Sequence, residues 1–200
     1  RRWYDPDLFG RTVPGLWSLL QHWALYRRER RGNFTTNFNE SGGFIHSRPG
    51  LARPDIGLHF SRAQVQDHGR VQARGHGYGL HACVLRPRST GHVGLHDADP
   101  RSAPRIDPNF LSDLADMDTM VAAYRACRQL FDAPAFEGAR GTLLRDEPPP
   151  ADRAAIEAYI RATSDTIYHP VGTCRMGLDD AAVTDPALRV RGLAGLRVVD

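Results

Sequence analysis

Apolar positions along the chain change their period several times, and each change marks an element. Leu16, Leu19, Leu20, Trp23 and Ala24 recur at three- and four-residue steps, which puts them on one face of a helix. Arg27, Arg28, Arg30 and Arg31 follow directly. Residues from about Arg1 to Arg31 therefore predict a turn-rich entry and one amphipathic helix. Ile56–Phe60, Tyr78–Val84 and His92–His96 alternate instead, the period of a strand with one solvated face. Leu114, Met117, Val121, Tyr124, Cys127 and Arg128 return to helical spacing, with Ser112 as a candidate cap and Pro134 near the end. Beyond Pro148-Pro149-Pro150, a second helix runs through Ile156, Tyr159 and Ile160. Leu196–Val199 reads as a short buried strand. The order of elements predicts an α+β fold, a mostly antiparallel sheet backed by helices.

Composition narrows the function classes. Of the 200 residues 41% are hydrophobic, ordinary for a folded domain, and fourteen prolines with nineteen glycines point to many loops. All twenty-six basic residues are arginine, yet twenty-three acidic ones bring the net charge to +3. The arginines are scattered and no nucleic-acid-binding module is present, so no nucleic-acid partner is expected. Cys83, Cys127 and Cys174 are far apart, which fits a reducing, cytoplasmic setting and not a disulfide scaffold. No run approaches the roughly 20 apolar residues of a membrane span. The Leu16–Ala24 face followed by arginines could lie on an anionic membrane, a peripheral association, but packing on a neighbouring domain is the commoner use of such a face.

Chemistry concentrates at His169-Pro170-Val171-Gly172-Thr173-Cys174-Arg175-Met176-Gly177. Proline drives the residue before it toward extended backbone, so His169 is restrained, and an imidazole can take a proton and return it within a cycle. Cys174 beside it is expected to be a small packed thiol and not a nucleophile. His92 and His96 have H-x-x-x-H spacing, but on a strand four residues span about 13 Å, too far for one metal ion. His76 and His81 are expected in a glycine-rich turn without a third ligand. No metal is expected.

The wording of several segments resembles the glucose-methanol-choline (GMC) family of flavin-dependent oxidoreductases, in particular choline- and alcohol-dehydrogenase-like members. The segments are Glu40-Ser41-Gly42-Gly43-Phe44, Arg53-Pro54-Asp55-Ile56, Leu85–Gly91, Asp99-Pro100, Ile106–Leu111, Asp165–Gly177, Val183–Pro186, Leu188–Val190 and Gly195–Asp200. The resemblance implies FAD as cofactor of the complete enzyme, a small alcohol as substrate, and oxidation of a primary alcohol to an aldehyde. It leaves oxygen and a quinone-type carrier both open as electron acceptor. It implies His169 as catalytic base, Ile167 and Tyr168 as substrate-binding residues beside the flavin, and Asp200 as a cofactor contact. Glu40 aligns with a position that meets the cationic head group in choline-oxidising members, but the same glutamate occurs in relatives acting on neutral alcohols, where ordering the glycine turn is the simpler role.

The same resemblance implies that residues 1–50 connect from an FAD domain, 51–166 form a substrate-binding domain and 167–200 return to the FAD-binding α/β domain. No G-x-G-x-x-G turn occurs in the sequence. The expectation is therefore a piece of a longer enzyme, and the alternative is a non-catalytic fragment that binds no flavin on its own.

Overall fold

The computed structural model describes residues 10–65, 75–138, 140–143 and 151–199. The proline run 148–150 and Asp200 lie outside the described residues. Contact clustering divides the chain into two compact units, the first comprising Arg1–Pro87 and Leu114–Ala162, the second Arg88–Asp113 and Thr163–Asp200.

The first unit is built on a three-stranded antiparallel sheet in the order β2 (Ser41–Ile45), β3 (Ile56–Ser61), β5 (Gly79–Val84). Register pairs Ser41 with Phe60, and Leu58 with both Gly43 and Ala82. Ile56 and Leu58 point to one face, where α2 (Leu114–Phe131) covers them with Ala123 and Cys127. Ile56 is 1% exposed and Ala123 fully buried, so this face is the core. Phe60 continues the same face toward an aromatic cluster with Tyr78, Phe131 and Phe136, whose ring centroids lie 5.6–6.1 Å apart. Such contacts add to the burial of the rings themselves. Helix α3 (Arg153–Thr163) meets α2 through the Tyr124–Tyr159 ring pair and the Arg153–Asp118 ion pair. It starts where Asp152 Oδ1 accepts the Ala155 N–H at 2.9 Å, a standard N-terminal cap.

Helix α1 (Val13–Glu29) begins at Thr12, whose hydroxyl accepts the Gly15 N–H, and ends at Arg30 in the left-handed conformation. Its start is tied to a two-stranded ladder of β1 (Gly10–Arg11) and β4 (Gly75–His76), where the buried His76 ring bonds Thr12 Oγ1 at 2.9 Å. Gly15 alone is buried along α1; Leu16, Trp17, Leu20 and Trp23 are all more than half exposed. A helix is present where one was expected, and the apolar face expected on it is largely exposed.

Several expectations need correction. Glu40–Phe44 is not a glycine turn: Ser41–Ile45 is a strand, and Gly42 is required because a Cβ there would stand 2.2 Å from the Leu58 carbonyl oxygen. His76 and His81 lie on strands β4 and β5, not in a turn, because the intervening Gly77-Tyr78 is the whole of the connection. In the second unit, Leu196–Val199 is neither a strand nor buried; Leu196 is 48% and Val199 76% exposed. It gains only the Arg189–Arg197 bridge and two backbone bonds, Val190 N to Leu196 O and Val198 N to Leu188 O, and a strand without a full ladder is not formed.

Among its described residues the second unit has one short hairpin, β6 (His92–Gly94) with β7 (Arg105–Asp107), and is otherwise turns joined by the isolated bridges Met176–Thr184, Thr184–Val190 and Arg189–Arg197. The strand expected over His92–His96 stops at Gly94, and the His96 ring turns to Asp97 at 3.3 Å. Helix α2 starts at Leu114, so Asp113 and not Ser112 precedes it, and the Asp113 N–H donates to Ser89 Oγ.

Candidate active site

The loop that carries His169 is shaped by its own backbone. Asp165 Oδ1 accepts the Thr166 N–H at 2.7 Å, and Thr166 Oγ1 accepts the Tyr168 N–H at 2.9 Å. These side-chain-to-backbone bonds fold the chain tightly before the histidine. Tyr168 then takes a left-handed backbone, φ 68°, and Pro170 disfavours helical geometry at the His169 that precedes it. Gly172, at φ 100°, turns the chain again, a conformation that an L side chain strains to adopt. His169 is exposed, as are Ile167 (40%), Tyr168 (65%) and Val171 (93%). Three of the expected site residues, Ile167, Tyr168 and His169, are thus presented together on one exposed loop.

Polar bonds set the segment behind the loop. The Arg175 guanidinium forks onto both carboxylate oxygens of Asp179 and holds that carboxyl down to about 2. The Arg175 carbonyl accepts the N–H groups of Val183 and Thr184, and Gly177 N–H returns to Thr184 O at 3.0 Å. Asp185 Oδ1 accepts the N–H groups of Ala187 and Arg189, and its other oxygen accepts Arg189 Nε at 2.8 Å. Backbone bonds from Arg189 and the Arg189 side chain hold its carboxyl below the usual range.

Cys174 departs from expectation. It is exposed and not packed, because the Thr173-Cys174 turn carries it out to solvent. Cys127 is the buried thiol, pushed up to about 11 by desolvation and so inert as a nucleophile. Among the described residues no group of three or more His, Cys, Asp or Glu side chains could hold a metal ion.

Glu40 belongs to the other unit, so it is described by itself. It lies one residue before β2, and Arg62, one residue after β3, donates to both of its oxygens at 3.2 and 3.1 Å. A Thr36 hydrogen bond and then Arg62 hold the Glu40 carboxyl below its ordinary range. Neither partner carried a local sequence signal, since Arg62 is twenty-two positions away and meets Glu40 only through strand pairing. Asp200 lies outside the described residues, so its cofactor contact stays a proposal.

Comparison with known proteins places this geometry. The GMC oxidoreductase family model matches residues 87–200, which include the His169 loop. The alcohol dehydrogenase [acceptor] of Pseudomonas putida is 47% identical over 175 residues, covering 88% of this chain and 32% of that protein. Human mitochondrial choline dehydrogenase is 40% identical over 84% of this chain and 29% of its own length. The chain thus spans about a third of the length of the curated relatives it matches. Among solved structures, pyridoxine 4-oxidase from Mesorbium loti superimposes with a TM-score of 0.72 at 28% identity, over 82% of this chain and 32% of that one. A formate oxidase variant from Aspergillus oryzae RIB40 shares the fold alone, with a TM-score of 0.78 at 24% identity over 92% of this chain and 37% of that one. Family model, relatives and fold agree, and the chain belongs to the GMC oxidoreductase family.

Proposed function

We propose that this chain supplies the substrate domain and C-terminal part of an FAD-dependent oxidoreductase that converts a primary alcohol to an aldehyde, with His169 as the base. One observation carries the reading: an exposed imidazole on a backbone-fixed loop, inside the stretch matched to the family. Bound FAD supplies the hydride acceptor. His169 takes the hydroxyl proton from the alcohol as the carbinol carbon gives up its hydride, so a carbonyl forms without a free alkoxide in water. Ile167 and Tyr168 offer apolar surface beside it to hold the substrate's carbon chain and exclude water. Glu40 is proposed as a further substrate-binding residue and Asp200 as a contact of the flavin. Residues 1–50 act as the connecting segment, 51–166 as the substrate-binding domain and 167–200 as the return to the FAD domain.

No helix start among the described residues carries a glycine-rich turn of the kind that receives a flavin diphosphate. An anion cradle needs unsatisfied N–H groups at a helix start. Here α1 and α3 each give one of their first N–H groups to a cap, Thr12 or Asp152, α2 carries Asp116 in its first turn, and the sequence has no G-x-G-x-x-G turn. We therefore infer that these 200 residues alone hold no FAD. A purified chain mixed with FAD and freed of excess should show no flavin absorbance; a stoichiometric band overturns this inference.

The base assignment is tested in the complete enzyme. His169→Ala should keep bound flavin yet slow flavin reduction by alcohol at least about a hundredfold, the low end of general-base contributions. Near-normal reduction in stopped flow removes His169 from the reaction.

A further inference from the structure

Helix α1 carries an apolar arc that its own unit leaves uncovered. At about 100° per residue, Leu20 lies at the centre of that arc, with Val13, Leu16 and Ala24 within about 40° of it. Trp17 and Trp23 flank it, about 60° to either side. All six are exposed. The same arc runs on into Arg27 and Arg28, about 20° and 80° from Leu20, and Arg30 and Arg31 follow past the end of the helix. The one acidic residue of α1, Glu29, lies on the opposite side, about 180° away. The back of the helix is already taken. Gly15 is buried against the Gly10 carbonyl and the His76 ring, and His22 Nδ1 accepts the Asn33 N–H at 3.2 Å.

We propose that this face of α1 is a docking surface for an anionic phospholipid bilayer, on which the helix lies in the interface plane. Charge decides between lipid and another protein domain. A protein surface laid over the arc has to strip water from Arg27 and Arg28 and answer each with a carboxylate, which offsets little of the desolvation. An anionic bilayer takes both parts of the arc as they stand. Acyl chains receive the leucines and Val13, and lipid phosphates receive the guanidinium groups, whose long stems reach up to the headgroups. The tryptophans sit at the two margins of the arc, where an indole has apolar surface on one side and water on the other. The Arg27 guanidinium stands over the Trp23 ring at 5.6 Å and that of Arg30 over Tyr26 at 5.1 Å, which brings charge to the level of the rings. Lying flat is the mode that fits, since among the described residues no helix is long and apolar enough to cross a membrane.

The test is flotation of the complete FAD-loaded enzyme with vesicles. Wild type should bind phosphatidylcholine vesicles containing about 30% phosphatidylglycerol, bind pure phosphatidylcholine at least about tenfold more weakly, and come off the anionic vesicles as salt is raised toward roughly 0.5 M. Arg27→Gln with Arg28→Gln should weaken anionic binding at least about tenfold and flatten its salt dependence. Trp17→Ala with Trp23→Ala should weaken it at least about tenfold and keep the salt dependence. All four substitutions are compatible with a helix, and flavin absorbance and Tm check folding. No binding by wild type, equal binding to neutral vesicles, or binding that neither double variant changes overturns the proposal. So does loss of flavin or a large fall in Tm in either double variant, which would show that the rest of the enzyme already covers the arc.

Discussion

Around the three-stranded sheet, Ile56, Leu58, Met117, Val121, Ala123, Cys127, Ile156 and Ile160 are buried, whereas in the second unit Ala182 and Thr184 are the buried side chains among the described residues. The first unit is held by apolar surface removed from water, which is non-directional and stabilises in proportion to area. The second is held by aspartates that accept backbone N–H groups and by arginines forked onto them, as at Asp179 and Asp185. Exposed bonds of that kind add little to global stability, because water competes for every partner. They do fix direction. The difference teaches that stability and aim are supplied by separate parts of this chain: one unit provides a packed platform, the other positions an imidazole without sealing it off.

That contrast can be broken by substitution. Ile56→Ala opens a cavity in the best-packed part of the sheet and should destabilise by about 2–5 kcal/mol, read as a lower Tm or denaturation midpoint. If the midpoint hardly moves, the sheet core is not what holds the first unit. Asp185→Ala should do the opposite. It removes three hydrogen bonds in the second unit yet leave the melting midpoint nearly where it was, while amide exchange at Ala187 and Arg189 speeds up several-fold. A large drop in Tm would show that the polar turns also carry global stability.

Much of the first unit was legible because its signals are local. The i, i+3, i+4 apolar steps from Leu114 to Cys127 gave α2, and the alternation through Ile56–Phe60 gave β3. Strand β2 was not legible. Gly42-Gly43 reads as a turn, and only the facing Leu58 carbonyl explains why a strand needs glycine there. Leu196–Val199 failed in the other direction, since an apolar run becomes a strand only when neighbours supply a ladder. The His169 loop was legible from Pro170 and Gly172, but the Thr166 bond that folds Tyr168 was not foreseen. Arg62 was out of reach for a related reason. A cross-strand partner twenty-two positions away leaves no trace in spacing, so the Glu40–Arg62 pair emerged only from register.

Tyr168 holds a left-handed backbone next to a residue that a following proline restrains. For a bulky side chain that conformation costs roughly 1–2 kcal/mol, so the chain stores strain one residue before its imidazole. Tyr168→Gly would relieve it, and would also let the loop visit both hands. For anyone moving this loop to another scaffold, the unit of transfer is therefore Asp165 to Gly172 as a whole, because the turns on either side of the histidine set the direction of its main chain.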